Sequence, residues 1–252
     1  MPLTFAHPAA VLPFSRKSKY VNFLAIVLGS MAPDFEYFLH GRPYGEIGHT
    51  AYGFFAFNLP MVIIVYLVYV TFIHKTLHRH LPFFLQEAAP EKAPSTKPLQ
   101  IVVFVYSALL GMLTHVVWDS FTHLGGFIVT GLSFLTYSFQ LFGFSIPVFK
   151  LLQHGSTVAG LVAIFFYLVY RARRNPYEEE RVSSRQKLVY WFLITLLTLL
   201  FFGIWQLVDR VSLAAYGVHV VRIIDSALIS LLLVCLYVRW SKHRHHKSRK
   251  QT

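Results

Sequence analysis

The stretch that decides the fold closes a long apolar run and reads Thr114-His115-Val116-Val117-Trp118-Asp119-Ser120-Phe121-Thr122-His123. Positions i, i+4 and i+8 of a helix follow one face and drift by about 40° at each step. His115, Asp119 and His123 occupy such positions. One Asp and two His are costly at the depth of a membrane helix unless they pair or bind a metal. The stretch therefore predicts a metal site to which other parts of the chain bring further ligands.

Composition indicates a membrane protein. The chain has 252 residues, of which 55% are hydrophobic and 13% are charged, whereas soluble domains carry about 25% charged residues. Its mean hydropathy is +0.52. Cys235 is the single cysteine, which excludes an intrachain disulfide and a cysteine-based metal site. The N-terminus has no basic region before its first apolar stretch, so we expect no cleaved signal peptide.

The apolar runs predict an all-α, polytopic bundle of about five to six transmembrane helices, with short interfacial or re-entrant helices in addition. The convincing spans are residues 51–73, 99–122, 154–170, 188–208 and 217–240. Residues 127–150 are rich in Gly, Ser, Thr and Phe, and we expect them to lie at the interface, with a further span as the alternative. We expect a single transmembrane domain over residues 1–240 and a basic tail over residues 241–252.

The net charge of +12 is concentrated beside the apolar runs. Residues 171–187 hold six Lys and Arg, and residues 239–250 hold six more. Such flanks are typical of cytoplasmic segments that attract anionic lipid. Nucleic acid is not an expected partner, because these basic residues are not interleaved with exposed aromatics on a soluble domain. This orientation makes the C-terminus cytoplasmic and directs the 114–123 stretch toward the outer face.

Seven residues could ligate a metal: His7, Asp34, His49, His115, Asp119, His123 and His154. Imidazole and carboxylate ligands without Cys suit one or two Zn²⁺ ions, with Mn²⁺ or Fe²⁺ as alternatives. His115 and Asp119 are one turn apart and can chelate one ion. His123 lies about 12 Å from His115 along a helix, so we expect it to serve a second ion or the substrate. For His7 or His154 taken alone, a simple polar contact is the more economical interpretation.

Three carboxylates are candidates for catalytic roles, namely Asp34, Glu36 and Asp119. Glu36 could act as a base toward a metal-activated water or could orient a ligand histidine. An ordinary interface residue is the equally simple alternative for Glu36.

The last apolar run carries His219, Arg222 and Asp225 at i, i+3 and i+6. We expect Arg222, with His219 and Arg210, to bind an anionic substrate group such as phosphate. The alternative is that Arg222 pairs with Asp225.

Five short motifs are shared with one known family. They are Pro2-Leu3-Thr4-Phe5-Ala6-His7-Pro8-Ala9-Ala10, Gly29-Ser30-Met31-Ala32-Pro33-Asp34-Phe35-Glu36-Tyr37, Gly48-His49-Thr50, His115-Val116-Val117-Trp118-Asp119-Ser120-Phe121-Thr122-His123 and Leu152-Gln153-His154-Gly155-Ser156. Over about residues 2–160 the chain resembles a bacterial membrane family catalogued as domain of unknown function 4184. The resemblance implies a bacterial inner-membrane protein and supplies no activity.

The ligand order is also similar to that of more distant enzymes. His7, Asp34, His49, His115 and Asp119 follow the order found in membrane-bound metal-dependent hydrolases and in the zinc-dependent phospholipase C and single-strand nuclease group. That similarity implies that His123 and His154 represent the later His ligands of the group. The His-x3-Glu pair of the group is missing, because Val158 stands four residues after His154.

These observations favour a membrane-embedded, metal-dependent hydrolase that acts on a lipid ester or phosphoester through a metal-activated water. One alternative is a metal-dependent lipid amidase of the ceramidase type. A second is a transporter or lipid-handling protein whose polar cluster moves protons or binds a headgroup.

Overall fold

The structure is a computed structural model that describes residues 3–88, 94–141, 143–177 and 182–248. Its α-helices, in chain order, are α1 (Phe23–Gly29), α2 (Phe35–His40), α3 (Ala51–His80), α4 (Lys97–Thr122), α5 (Phe127–Gly131), α6 (Ser133–Thr136), α7 (Val148–Arg174), α8 (Ser184–Val208) and α9 (Tyr216–Ser248). Short 3-10 helices cover Thr4–Val11, Ala32–Asp34 and Phe83–Leu85. Two strands, β1 (Ser138–Leu141) and β2 (Phe144–Pro147), form an antiparallel hairpin.

Within the described residues, five helices are long and apolar enough to cross a membrane. They cover Ala51–His80, Lys97–Gly131, Val148–Arg174, Ser184–Val208 and Tyr216–Lys242. The predicted class, an all-α polytopic membrane protein, is therefore confirmed. The last helix continues through Ser248, so it includes most of the predicted basic tail, and residues 249–252 lie outside the described part of the chain.

The segment between α4 and α7 contains no described helix long enough to span. It holds α5 and α6, which are short helices as expected, and the β1–β2 hairpin, which the sequence analysis did not predict. Gly143 has a φ of 81°, a left-handed conformation that glycine adopts without steric cost and that tight hairpin turns require. The hairpin pairs Ser138 with Pro147 and Leu141 with Phe144.

The chain divides into two compact units. The first unit comprises Met1–Phe35, Glu46–Ile63 and Ala89–Arg171, and the second comprises Glu36–Gly45, Ile64–Ala88 and Ala172–Thr252. Helices α3 and α7 each contribute residues to both units. All seven predicted metal ligands belong to the first unit, whereas Arg210, His219 and Arg222 belong to the second.

Small residues set the packing of α1 against α4 in the first unit. A Cβ added to Gly29 would lie 2.2 Å from the carbonyl oxygen of Ala108, and one added to Gly111 would lie 2.3 Å from that of Ile26. Backbones approach this closely only where side chains are absent or small, as is common between membrane helices. Ser30 follows Gly29, and His115 stands one turn after Gly111. The close crossing therefore brings the end of α1 next to the metal-binding stretch of α4.

In the second unit, α8 packs along α9. Tyr190 and Ile194 of α8 contact Val234 and Cys235 of α9 in a buried cluster. The Tyr190 hydroxyl lies 3.3 Å from the Cys235 sulfur, so both polar groups have a partner in an apolar setting. This contact holds the pair of helices that carries the basic residues discussed below.

Candidate metal centre

His115 and Asp119 lie one turn apart on α4 and converge as the spacing predicts. His115 has 0% exposure, and its Nδ1 lies 2.8 Å from the carbonyl oxygen of Ser30. Because a carbonyl only accepts, Nδ1 donates this bond, and in the neutral ring the lone pair then lies on Nε2. That Nε2 lies 3.3 Å from Asp119 Oδ2. The ring is therefore held with its free nitrogen directed at the carboxylate.

Asp34 comes from the 3-10 turn that follows α1, and it is buried. Thr4 donates a hydrogen bond of 2.6 Å to Asp34 Oδ2, which leaves Oδ1 free to face the histidines. Oδ1 lies 3.6 Å from the Nε2 atoms of both His49 and His115. Burial raises the pKa of the Asp34 carboxyl above its ordinary value, because desolvation disfavours the anion. A cation at this position would offset that cost.

His49 sits in the loop just before α3, which is anchored at two points. Thr50 caps α3 by accepting a hydrogen bond from Gly53 N, and the buried Asn58 donates one of 2.6 Å to the Gly48 carbonyl. His49 Nε2 then lies 3.6 Å from both Asp34 Oδ1 and Asp119 Oδ2. His49 is partly exposed, so this side of the site is open.

A π-helical turn places Asn58 where it can hold this loop. The turn covers Phe54–Asn58 and ends two residues before Pro60. The N–H of Leu59 reaches back to the Phe54 carbonyl, a five-residue step that widens the helix. Proline removes a donor from the following turn, and Pro60 stands directly after this widened turn and Leu59.

His7 reaches the site from the N-terminal 3-10 helix. It is buried and stacks on the His115 ring, with centroids 3.8 Å apart and planes inclined by 15°. Its Nε2 lies 3.6 Å from Asp119 Oδ1. Burial, and then the neighbouring His115, lower the pKa of His7 to about 3. The ring is therefore neutral at pH 7 and can ligate a metal without losing a proton.

We call His7, Asp34, His49, His115 and Asp119 the histidine–aspartate cluster. Two overlapping triads, His7–Asp34–His115 and His49–His115–Asp119, each bring their ligand atoms within 4.8 Å of one another. The facing N and O atoms are separated by 3.3–3.6 Å. In a tetrahedral zinc site with bonds of 2.0–2.1 Å, neighbouring ligand atoms are about 3.3–3.4 Å apart. The observed spacing fits such an ion.

The hydrogen-bonding state of the cluster supports the same conclusion. Four of its residues have buried atoms that make no hydrogen bond in the described structure, namely His7 Nδ1 and Nε2, Asp34 Oδ1, His115 Nε2 and Asp119 Oδ1. More than about 90% of buried polar groups in proteins have a partner. A shared cation could satisfy several such atoms that face one another, and an N and O donor set suits Zn²⁺, Mn²⁺ or Fe²⁺.

The remaining predicted ligands behave differently from one another. Helix α4 ends at Thr122, so His123 lies outside it, and its Nδ1 folds back to 3.5 Å from Asp119 Oδ1. Both His123 and His7 therefore face the same carboxylate oxygen. His154 is exposed and, among the described residues, forms no ion pair with these carboxylates; the buried neighbour is Gln153. The structure thus places His123 at the edge of the cluster and does not bring His154 to it.

Glu36 belongs to the second unit and is buried there. A Cβ added to Gly45 would lie 2.8 Å from Glu36 Oε2, so this loop residue must be small. The catalytic role suggested for Glu36 stays a prediction.

Arg222 is 1% exposed and has partners within the second unit. Its Nη1 donates a 2.7 Å hydrogen bond to the Asp209 carbonyl, its Nη2 pairs with the Asp209 carboxylate, and its guanidinium lies 5.4 Å from the centre of the Trp205 ring. The acidic partner is thus Asp209 rather than Asp225. These contacts support a structural role for Arg222, and its predicted phosphate contact stays a prediction.

The two residues predicted to assist Arg222 are also placed in the second unit. His219 accepts a hydrogen bond of 2.7 Å from Gln206 at Nδ1, and its Nε2 donates to the Ser212 carbonyl at 3.1 Å. Arg210 is exposed. Their predicted contact with substrate is likewise untested.

Sequence reasoning missed the residues that orient the ligands: Thr4, Ser30 and Asn58. A signal existed for Asn58, since a polar residue inside an apolar membrane helix usually has a specific partner. Thr4 and Ser30 carry no such signal, because a hydroxyl in a turn and a backbone carbonyl acquire their roles only through the fold.

The fold and the cluster define a class: a multi-pass, α-helical membrane protein with a buried histidine and aspartate site that suits a divalent metal. The chain belongs to the family described as "Domain of unknown function (DUF4184)", whose family model matches residues 1–236. The match confirms the resemblance and extends it beyond residue 160 into the last of the five long helices. No curated protein and no solved structure matches the chain, so the more distant similarity to metal-dependent hydrolases is not shown.

Proposed function

We propose that the protein is a membrane-embedded, metal-dependent hydrolase that cleaves an ester or phosphoester bond in a lipid. One observation carries the proposal: buried atoms of His7, Asp34, His115 and Asp119 lie at metal-ligand spacing and make no hydrogen bond with the residues that the structure describes. A structural polar cluster would instead satisfy these atoms internally. The proposed ion is Zn²⁺, with Mn²⁺ or Fe²⁺ as alternatives. One or two ions would be bound per chain.

The residues of the chain hold and orient the ligands. Thr4 fixes the Asp34 carboxylate, and the Ser30 carbonyl fixes the tautomer of His115. Such outer contacts set ligand direction and basicity. A divalent ion in the cluster would act as a Lewis acid and activate water as a nucleophile near neutral pH. His49 in the cluster and His123 at its edge are partly exposed, so water and substrate would approach from their side.

The position of the cluster along its helices favours a lipid substrate. Asp119 lies in the last turn of α4, and His49 lies just before the first turn of α3. Ends of membrane-spanning helices reach the interfacial region, where the ester and phosphoester groups of lipids are located. We place the basic helix ends and the C-terminus in the cytoplasm of a bacterium, and the cluster toward the outer face of its cytoplasmic membrane.

Elemental analysis tests the metal. Protein purified in detergent without added metal should contain about one or two divalent ions per chain. His115→Ala should lose them, because His115 belongs to both triads. The matched control is His40→Ala, which changes an exposed histidine outside the cluster. A metal-free wild-type protein, or a stoichiometric ion in His115→Ala, would contradict the proposal.

Product analysis then tests the reaction. The metal-loaded protein is incubated with phospholipids and with an N-acyl sphingoid lipid, and phosphate, phosphorylated headgroup and fatty acid are measured. Release of a phosphate-bearing product or of an ester-linked fatty acid supports the proposal. Release of fatty acid from the N-acyl lipid alone would instead establish the amidase alternative. Turnover that is unchanged after metal removal would contradict both.

A further inference from the structure

A single lysine, Lys150, lies in the first turn of α7, and residues 99–169 contain no other Lys or Arg. Helix α5, which follows the end of α4 after a short turn, packs against that first turn, because Val129 is buried in one apolar cluster with Val148. The start of α7 therefore lies at the same end of the first unit as the last turn of α4, which carries Asp119. The lysine and the histidine–aspartate cluster share that end.

A hydrogen bond between α4 and α7 fixes the level of the lysine. Trp118 Nε1 donates it to Ser156 Oγ at 3.1 Å. At a rise of about 1.5 Å per residue, Gln153 lies about 4.5 Å beyond Ser156, and Asp119 lies about 1.5 Å beyond Trp118, both toward the shared end. Lys150 Nζ donates a hydrogen bond of 3.0 Å to Gln153 Oε1. The ammonium group is therefore held within about one helical turn of the level of Asp119.

The side chain of Lys150 is half-buried and follows a face of α7 that packs inside the first unit. Its partner Gln153 is 1% exposed. Residues 150, 153 and 157 share one helix face, and Thr157 Oγ1 accepts a hydrogen bond of 3.3 Å from the N–H of Leu3. The same face thus contacts the N-terminal 3-10 helix that carries His7. Lys150 is therefore directed along the side of α7 that faces the metal-binding elements.

No carboxylate among the described residues forms an ion pair with Lys150. Its contacts there are the hydrogen bond to Gln153 and the Phe149 ring, whose centre lies 5.9 Å from Nζ. The helix dipole opposes a cation in the first turn, so helix stability does not explain its position. One divalent ion would balance the carboxylates of Asp34 and Asp119, and the lysine then leaves an excess of positive charge beside the cluster.

We propose that Lys150 binds the phosphate group of the substrate, and that the cluster therefore acts on a phosphoester rather than on a carboxylic ester or an amide. The inference rests on the proposed function and narrows it. A carboxylic ester or an amide is uncharged and would leave the half-buried ammonium without an anionic partner. A phosphoester brings that partner, and a lysine aimed at phosphoryl oxygens stabilises the charge that they carry. The phosphate belongs to a lipid headgroup or to a soluble phosphate compound.

Calorimetric titration of the zinc-loaded, full-length protein in detergent tests the proposal without turnover. The probes are hexylphosphonate, methylphosphonate and the uncharged dimethylhexylphosphine oxide, whose P–C bonds resist hydrolysis. Hexylphosphonate should bind at one site per chain, and Lys150→Gln should weaken it about tenfold, since a charge-assisted hydrogen bond is lost. Lys150→Arg keeps the charge and should retain most of the affinity.

Lys97→Gln is the matched control. It removes the same charge from an exposed residue in the first turn of another long helix of the same unit, at the opposite end of α4 from Asp119. Elemental analysis should find as much zinc in Lys150→Gln as in the wild type. Gel filtration and thermal unfolding verify that each variant is folded.

The binding and zinc measurements are interpreted together. Weaker binding of hexylphosphonate to Lys150→Gln alone, with the phosphine oxide bound equally by this variant and the wild type, supports the lysine contact. An unchanged affinity for hexylphosphonate, equal weakening by Lys97→Gln, or loss of zinc from Lys150→Gln would overturn it while the proposed metal site stands. A wild-type protein that retains no zinc would overturn both proposals. Methylphosphonate that binds as tightly as hexylphosphonate identifies a soluble phosphate compound, whereas much weaker binding identifies a lipid.

Discussion

Two regions of the protein bury ionisable side chains, and they do so differently. In the first unit, the histidine–aspartate cluster contains buried N and O atoms that face one another and make no hydrogen bonds within the described part of the chain. In the second unit, the buried Arg222 directs both terminal nitrogens at Asp209, and in the described structure only its Nε lacks a partner. We propose that a cation completes the first arrangement, whereas the second is completed from within the chain.

This difference is the one expected between the metal site that we propose and a structural ion pair. A buried charge is tolerated when it is paired and hydrogen-bonded, which describes Arg222. We propose that a cation joins the converging carboxylates and imidazoles of the cluster, which would offset the cost of burying them. The two regions should therefore respond in opposite ways to metal withdrawal and to the removal of one partner.

The largest expected effect is that of metal withdrawal. Since an ion that binds only the folded state stabilises it by RT ln(1 + [L]/Kd), removal of free metal at 1,000 times Kd should lower the free energy of unfolding by about 4 kcal/mol. Equilibrium unfolding in mixed detergent micelles, with and without chelator, measures the change. Asp34→Ala should not respond to chelator, because a ligand shared by the cluster is gone. A wild-type protein that is indifferent to chelator would remove the distinction between the two regions.

A smaller effect is expected at Thr4, which touches a ligand but not the metal. Thr4→Val keeps the side-chain shape and removes the hydrogen bond to Asp34 Oδ2. Loss of a contact that orients a metal ligand typically weakens metal affinity by about 10–100-fold. Competition with a chromophoric chelator measures the affinity. The matched control is Thr130→Val, an exposed threonine of the same unit whose hydroxyl contacts only nearby backbone carbonyls. An affinity equal to that of the wild type would show that Thr4 does not position Asp34.

The sequence was sufficient for the long helices and for the central pair of the cluster. Apolar runs of spanning length have few other solutions, and the i, i+4 spacing of His115 and Asp119 fixes their proximity once α4 forms. His123 departs from the expectation because α4 ends at Thr122. Beyond that point the helical rise no longer applies, and its ring folds back toward Asp119.

The positions of His154 and Arg222 show what a single sequence leaves undetermined. Helix α7 begins at Val148, six residues before His154, and its rotation directs Gln153 inward and leaves His154 exposed. Tertiary packing sets the rotation of a helix about its axis. In a helix that is hydrophobic on most sides, the apolar periodicity does not show which side faces inward. Arg222 likewise found its acid in Asp209, just past the end of α8, rather than on its own helix.

The smallest of these effects tests the second region alone. Asp209 pairs with the buried Arg222 and also, at 3.5 Å, with the exposed Arg42. Asp209→Ala should destabilise the protein by about 1–3 kcal/mol, less than the 3–5 kcal/mol typical of a fully buried pair, because the Asp209 carboxylate is half exposed and partly screened. Arg42→Ala breaks the exposed contact of the same carboxylate and should cost at most about 1 kcal/mol.

Equilibrium unfolding with chelator present measures the loss of stability in both variants, and neither loss should depend on metal. Equal losses in the two variants would show that burial of Arg222 contributes nothing, and the contrast between a satisfied pair and an unsatisfied cluster would then have to be abandoned.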